Sequence, residues 1–104
     1  TYQGSGVEAT IGSSFTMNGG TISSNVNAYC GGGGVLIANN SKFVLLDGII
    51  ENNRADVPAA SGDSCSGGGI NINTSDCTFE MYGGIIRGNY ANGYGGGNTA
   101  ESAG

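Results

Sequence analysis

The chain has no histidine and no tryptophan. It has one proline and only three basic residues, Lys42, Arg54 and Arg87, in 104. Each scarcity closes off a class of function. Without histidine a mixed Cys/His zinc site is impossible, and the side chain that most often serves as general acid or base near neutral pH is missing. Three scattered cations form no Lys/Arg stripe, so no nucleic-acid partner is expected. No apolar run approaches the roughly 20 residues of a membrane-spanning helix, so no membrane span is expected either. Charged residues make up only 11% of the chain, with a formal net charge of -5.

Glycine, in contrast, is abundant, at 22 residues. It follows no collagen period, and the apolar residues around it are patterned. The glycines therefore mark tight turns in an ordered structure rather than a flexible linker. The length suits a single domain over residues 1–104.

A phrase of the form F-x-[ML]-x-[GD]-G-x-I-x-x-N occurs three times. It reads FTMNGGTISSN from Phe15 to Asn25, FVLLDGIIENN from Phe43 to Asn53 and FEMYGGIIRGN from Phe79 to Asn89. Each copy follows a glycine run, an aliphatic residue and a short polar turn, and a further glycine run spans Gly95 to Gly97. The phenylalanines lie 28 and 36 residues apart, and all but one residue of the length variation falls between the asparagine and the next glycine run. Insertions confined to one loop are the behaviour of a solenoid, with one supersecondary unit per repeat.

The apolar pieces are short and alternate with period two, as in Phe-x-Met and Ile70-Asn71-Ile72, which is a strand signal. No segment carries helical periodicity, and glycine is too frequent for helices. The expectation is three very short strands per repeat: one at the Phe, one at the Ile after Gly-Gly, and one after the glycine run. Stacked at the roughly 4.8 Å spacing of paired strands, such units give an all-β, right-handed, single-stranded parallel β-helix. It would have three coils, at about 4–31, 32–66 and 67–94, and a partial fourth at 95–104.

Inward ladders follow from the register: Phe15/Phe43/Phe79, Met17/Leu45/Met81, Ile22/Ile50/Ile86, Val7/Val35/Ile70 and Ala9/Ile37/Ile72. Asn25, Asn53 and Asn89 should form an amide ladder, each bonding its neighbours and the turn backbone. The Gly-Gly pairs should supply positive φ at a corner. Asp47, which replaces the first glycine of the second copy, is expected to tolerate the left-handed region there. The chain starts just before one glycine run and stops just after another, with no polar cap evident at either end. Either it is a segment of a longer array, or its coil ends stack on neighbouring copies. A head-to-tail contact of that kind does not close and yields a filament.

Three cysteines are present. Cys30 and Cys65 each lie five residues before an equivalent aliphatic residue, Val35 and Ile70. Stacked equivalents fall within disulfide range, which makes the pair a disulfide candidate and points to an extracellular setting. Unlinked thiols in a ladder are the alternative. Cys77 is left over; it aligns with Ser41 and Ser13 and is either a buried small residue or a free thiol open to an intermolecular bridge.

The eight carboxylates share no equivalent positions in adjacent repeats, so no catalytic residue, metal ligand or cofactor site is assigned and no enzyme is expected. Asp56 and Asp63 share the long loop, which is a weak cation signal. Glu51 aligns with Arg87 as an exposed ion pair. On the outer side Val44, Leu46 and Tyr82 form a possible contact patch, and Tyr29, Tyr90 and Tyr94 near the loops have the chemistry to stack on sugars. Asn39 and Asn73 open N-glycosylation triplets in equivalent turns.

The phrases GGGVLI and GGGINI, with ISSN, IENN and IRGN, resemble the repeats of polymorphic outer-membrane-protein-like and related adhesin-type surface proteins of bacteria. That family carries Gly-Gly-Ala-aliphatic and Phe-x-x-Asn tetrapeptides; here Gly stands for the Ala and Ile for the Phe. The resemblance implies a right-handed β-helix displayed outside the cell, with adhesive or structural roles, and supplies no catalytic residues. The expected function is an extracellular structural or adhesive β-helix, stacking into a homo-oligomer or lying within a longer surface array, with a host or cell-surface glycan as a possible partner. The rival is a carbohydrate-binding or carbohydrate-acting module.

Overall fold

The computed structural model describes residues 6–27, 32–56 and 67–92. These form ten strands and no helix. In chain order they are β1 (Val7–Ala9), β2 (Ser14–Ser23), β3 (Val26–Asn27), β4 (Val35–Ile37), β5 (Lys42–Glu51), β6 (Arg54–Asp56), β7 (Ile70–Ile72), β8 (Thr78–Met81), β9 (Ile85–Arg87) and β10 (Tyr90–Asn92). The strands pair into three parallel sheets, ordered β1-β4-β7, β3-β6-β10 and β2-β5-β8, with β9 also on β5. Each repeat thus gives strands to all three sheets in the same sequence.

The register is the one the repeated phrase dictates. Val7, Val35 and Ile70 are aligned, as are Ala9, Ile37 and Ile72. Phe15, Phe43 and Phe79 are aligned in the sheet of β2, with ring centroids 4.9 and 5.2 Å apart along the stack. The core lies between this sheet and that of β4, and consists of Met17, Val35, Ile37, Phe43, Leu45, Ile50 and Ile70. Phe15, Ile22, Phe79 and Ile86 pack against it from their half-buried positions.

The strands differ from the expected set in two ways. In the first two repeats the Phe and Ile pieces are one ten-residue strand, β2 or β5, continuous through the glycine corner. Only in the third repeat does it break, into β8 and β9 on either side of Gly83–Gly84. The third strand of each repeat is the one after the asparagine, β3, β6 or β10. It is too short for an alternation signal, and its small inward residues, Asn27, Ala55 and Ala91, are buried.

The turns also correct the expectation for Asp47. Gly20, Gly48 and Gly84 have φ of 84°, 119° and 84°, but Asp47 is not left-handed. Its carboxylate instead accepts the Gly48 N–H at 2.8 Å. A second positive-φ position recurs in every repeat, immediately before the asparagine: Ser24, Asn52 and Gly88 have φ of 58°, 57° and 63°.

Candidate functional site

Among the described residues the asparagines form the most fully bonded polar structure. Asn25 donates its backbone N–H (3.1 Å) and its Nδ2 (2.9 Å) to Oδ1 of Asn53. Asn53 repeats the pattern on Oδ1 of Asn89, at 3.0 and 2.9 Å. The second Nδ2 hydrogen goes back to a carbonyl of the preceding repeat, from Asn53 to Ile22 and from Asn89 to Ile50. Asn53 therefore makes five bonds counting its own N–H, which accounts for a side chain with 0% exposure in an apolar surround.

The ladder also accounts for the glycine runs. A Cβ on Gly34 would sit 2.7 Å from the Gly69 carbonyl oxygen and 3.0 Å from Asn53 Nδ2. On Gly69 it would meet Asn89 Nδ2 at 2.8 Å. The last glycine of each run thus makes room for the asparagine of its own repeat, and the two letters of the phrase are one packing unit.

Among the described residues two faces bound the stack. One carries β2, the edge strand of its sheet, with half-buried Phe15 and Ile22 and an open groove of about 360 Å³ lined entirely by first-repeat residues, among them Val7, Phe15, Met17 and Ile22. The other carries β8 and β9, with Met81 47% and Ile85 46% exposed. Met81 corrects its assignment to the core: it is aligned with Leu45, but among the described residues no repeat lies beyond it to cover its side chain.

The outer side is less apolar than expected. Thr16, Val44 and Glu80 are aligned, and Val44 is half-buried. Leu46 (40%) and Tyr82 (71%) are exposed, and Leu46 is skipped by a bulge that pairs Asn18 with Asp47. Charges pair along the sheet: Lys42 with Glu80 at 3.4 Å, Arg87 with Glu51 at 2.8 Å and Arg54 with Asp56 at 2.8 Å. Tyr82 donates its hydroxyl to Glu80, and Arg54 lies 5.1 Å from the centre of the Tyr90 ring.

The polar turns are cross-linked. Thr74 Oγ1 accepts the Asn39 N–H at 2.8 Å and bonds Asp76 Oδ1 at 2.6 Å. The Thr74 hydroxyl, and then the Asn40 backbone N–H, hold Asp76 below the usual carboxylate range. Cys77 is a half-buried free thiol 3.2 Å from the Thr74 hydroxyl, packed on the core. Asn39 is exposed but donates its Nδ2 to Thr10 Oγ1, while the hydroxyl of Ser41, the third residue of its triplet, is buried and accepts the Ser13 N–H. Asn73 is half-buried, and its N–H bonds the Ile37 carbonyl. Cys30, Cys65, Asp63, Tyr29 and Tyr94 lie outside the described residues. Among the described residues no three Cys, Asp or Glu side chains converge on a metal-sized site, and no helix is long and apolar enough to cross a membrane.

These features define an all-β protein of parallel sheets, with a polar ladder beside an apolar core. No family model, curated protein or solved structure matches the chain.

Proposed function

We propose that the chain is a right-handed parallel β-helix that serves outside the cell as a structural or adhesive element, its coils stacking on further coils of the same kind. The supporting observation is the order of pairing: every repeat contributes to all three sheets in the same sequence, in register with its neighbours. A chain that visits three sheets in turn and returns one strand further along traces a helical path, and parallel crossovers favour the right hand. The exposed Met81 and Ile85 on one face and the apolar groove on the other suit coil-on-coil contact. The next coil belongs either to a second copy or to the same array. The reading assigns no catalytic residue, cofactor or metal.

Electron microscopy and sedimentation of the purified chain test stacking. Particles that lengthen with concentration are expected; compact, monodisperse particles at high concentration would sink it. The rival reading is separated by a glycan array and a turnover assay on acidic polysaccharides, where binding lost on mutating Tyr29 or Tyr94 would favour the carbohydrate module. The extracellular setting goes with a Cys30–Cys65 bridge. Alkylation without reductant should leave both unlabelled, and labelling of both would refute the bridge.

A further inference from the structure

The asparagine ladder has a direction. At each step the earlier repeat donates and the later one accepts: Asn25 N–H and Nδ2 to Asn53 Oδ1, then Asn53 N–H and Nδ2 to Asn89 Oδ1. A backbone N–H is the donor in each pair, so the facing amide atom must be oxygen and rotating the side-chain amide cannot reverse the order. The two outer faces are therefore unlike. On the β2 face the ladder ends in an acceptor, Asn25 Oδ1, which has no donor among the described residues. On the β8–β9 face it ends, among the described residues, in donors: the Asn89 N–H and the Nδ2 hydrogen not spent on the Ile50 carbonyl.

We propose that a second copy of this chain docks head to tail, the third repeat of one on the first repeat of the next. The Asn89 amide groups then donate to Oδ1 of the neighbouring copy's Asn25, and Phe79 continues the ring stack onto the neighbour's Phe15. The contact extends the pairing already made twice inside the chain, at ring spacings of 4.9 and 5.2 Å. Head-to-head contact would set Oδ1 against Oδ1, and tail-to-tail contact would set N–H against N–H. Either would leave polar groups unpaired in a closed interface, which is costly. Head-to-tail docking uses unlike faces, leaves one of each at the ends and grows without closing. The inference rests on the stacking reading and adds its polarity.

The register supplies a test at an exposed site. Thr16 is aligned with Val44, and Val44 with Glu80. In a head-to-tail contact the neighbour's Thr16 follows Glu80, whereas inside the chain the register partner of Thr16 is uncharged Val44. Thr16→Lys should tighten self-association about two- to fivefold at low salt, and Thr16→Glu should weaken it by a similar factor. Both effects should fade at high salt. Sedimentation of the 104-residue chain reads both. If growth persists while the two variants shift together or not at all, the polarity is overturned and stacking stands. If the chain is monomeric at every concentration, stacking itself falls, and the polarity with it. A benzophenone side chain at position 16 gives an independent reading. An intermolecular cross-link to the peptide holding Glu80 is expected; one to the other copy's residue-16 peptide overturns the proposal.

Discussion

Phe43 and Phe79 occupy the same register position in adjacent repeats, yet Phe43 is fully buried and Phe79 is not. The pattern extends to the rest of the phrase. Leu45 and Ile50 of the middle repeat have 0% exposure, while Met81 of the third is 47% exposed and Ile22 and Ile86 are half-buried. Asn53 is fully buried and bonded on both sides, while Asn25 and Asn89 each have one ladder neighbour. Residue type cannot explain these differences, because the letters are nearly the same. Met17 and Ile70 show that the flanking repeats contribute to the core as well, but the phenylalanine, the second isoleucine of the phrase and the asparagine are fully buried only in the repeat with another on each side, as expected where each unit contacts only its neighbours.

The most severe test of this comparison is truncation of the phenylalanine stack. Phe43→Ala should destabilise the fold by about 4 kcal/mol, while Phe15→Ala and Phe79→Ala should each cost roughly half as much, because they lose less buried area and leave a cavity open to solvent. Urea unfolding of the three variants measures this, and equal losses would break the comparison. Next comes the polar ladder. Asn53→Leu strands the Asn25 N–H and Nδ2 and removes the side-chain donor to the Ile22 carbonyl, while Asn89 Oδ1 keeps the backbone N–H of residue 53; it should cost about 3 kcal/mol, and Asn25→Leu about 1 kcal/mol. Hydrogen exchange at the Asn25 amide should speed up in the Asn53 variant.

A smaller effect contrasts two equivalent turns. Ile11 and Asn39 have φ of 57° and 55°, but a β-branched side chain is strained in that region and asparagine is not. Ile11 is also 81% exposed, so its side chain gains little from burial. Ile11→Asn should stabilise the fold by about 1 kcal/mol, read as a higher denaturation midpoint with an unchanged slope. The smallest effect involves Asp76. Because its folded-state pKa is lowered, its contribution is present above the usual carboxylate pKa and is lost as pH falls through the lowered value. The stability difference between the parent chain and Asp76→Asn should therefore narrow on acidification. A difference that grows toward low pH would contradict the Thr74 and Asn40 bonds as its cause.

Much of the arrangement was legible in the letters. Phe15, Phe43 and Phe79 share one offset with their glycines and asparagines, so aligning the phrase aligns the strands. The inward ladders and the Glu51–Arg87 ion pair follow directly. The strand after the asparagine was not legible, because β3, β6 and β10 have two or three residues each and bury small side chains. The repeated Asn-x-Ala at Asn53 and Asn89 was the available signal. The left-handed residue before each asparagine was hidden as well, since Ser24, Asn52 and Gly88 have no chemistry in common, only a place in a turn.

The sequence by itself determined which residues would be equivalent, because a parallel ladder pairs like with like and the repeated phrase sets the register. Tertiary structure alone decided which of those equivalents would be core. Burial depends on neighbours on both sides, and a residue's own repeat does not state how many it has. It also decided the direction of the asparagine ladder. The letter Asn carries both a donor and an acceptor, and only the backbone N–H of the preceding repeat fixes which one faces which way.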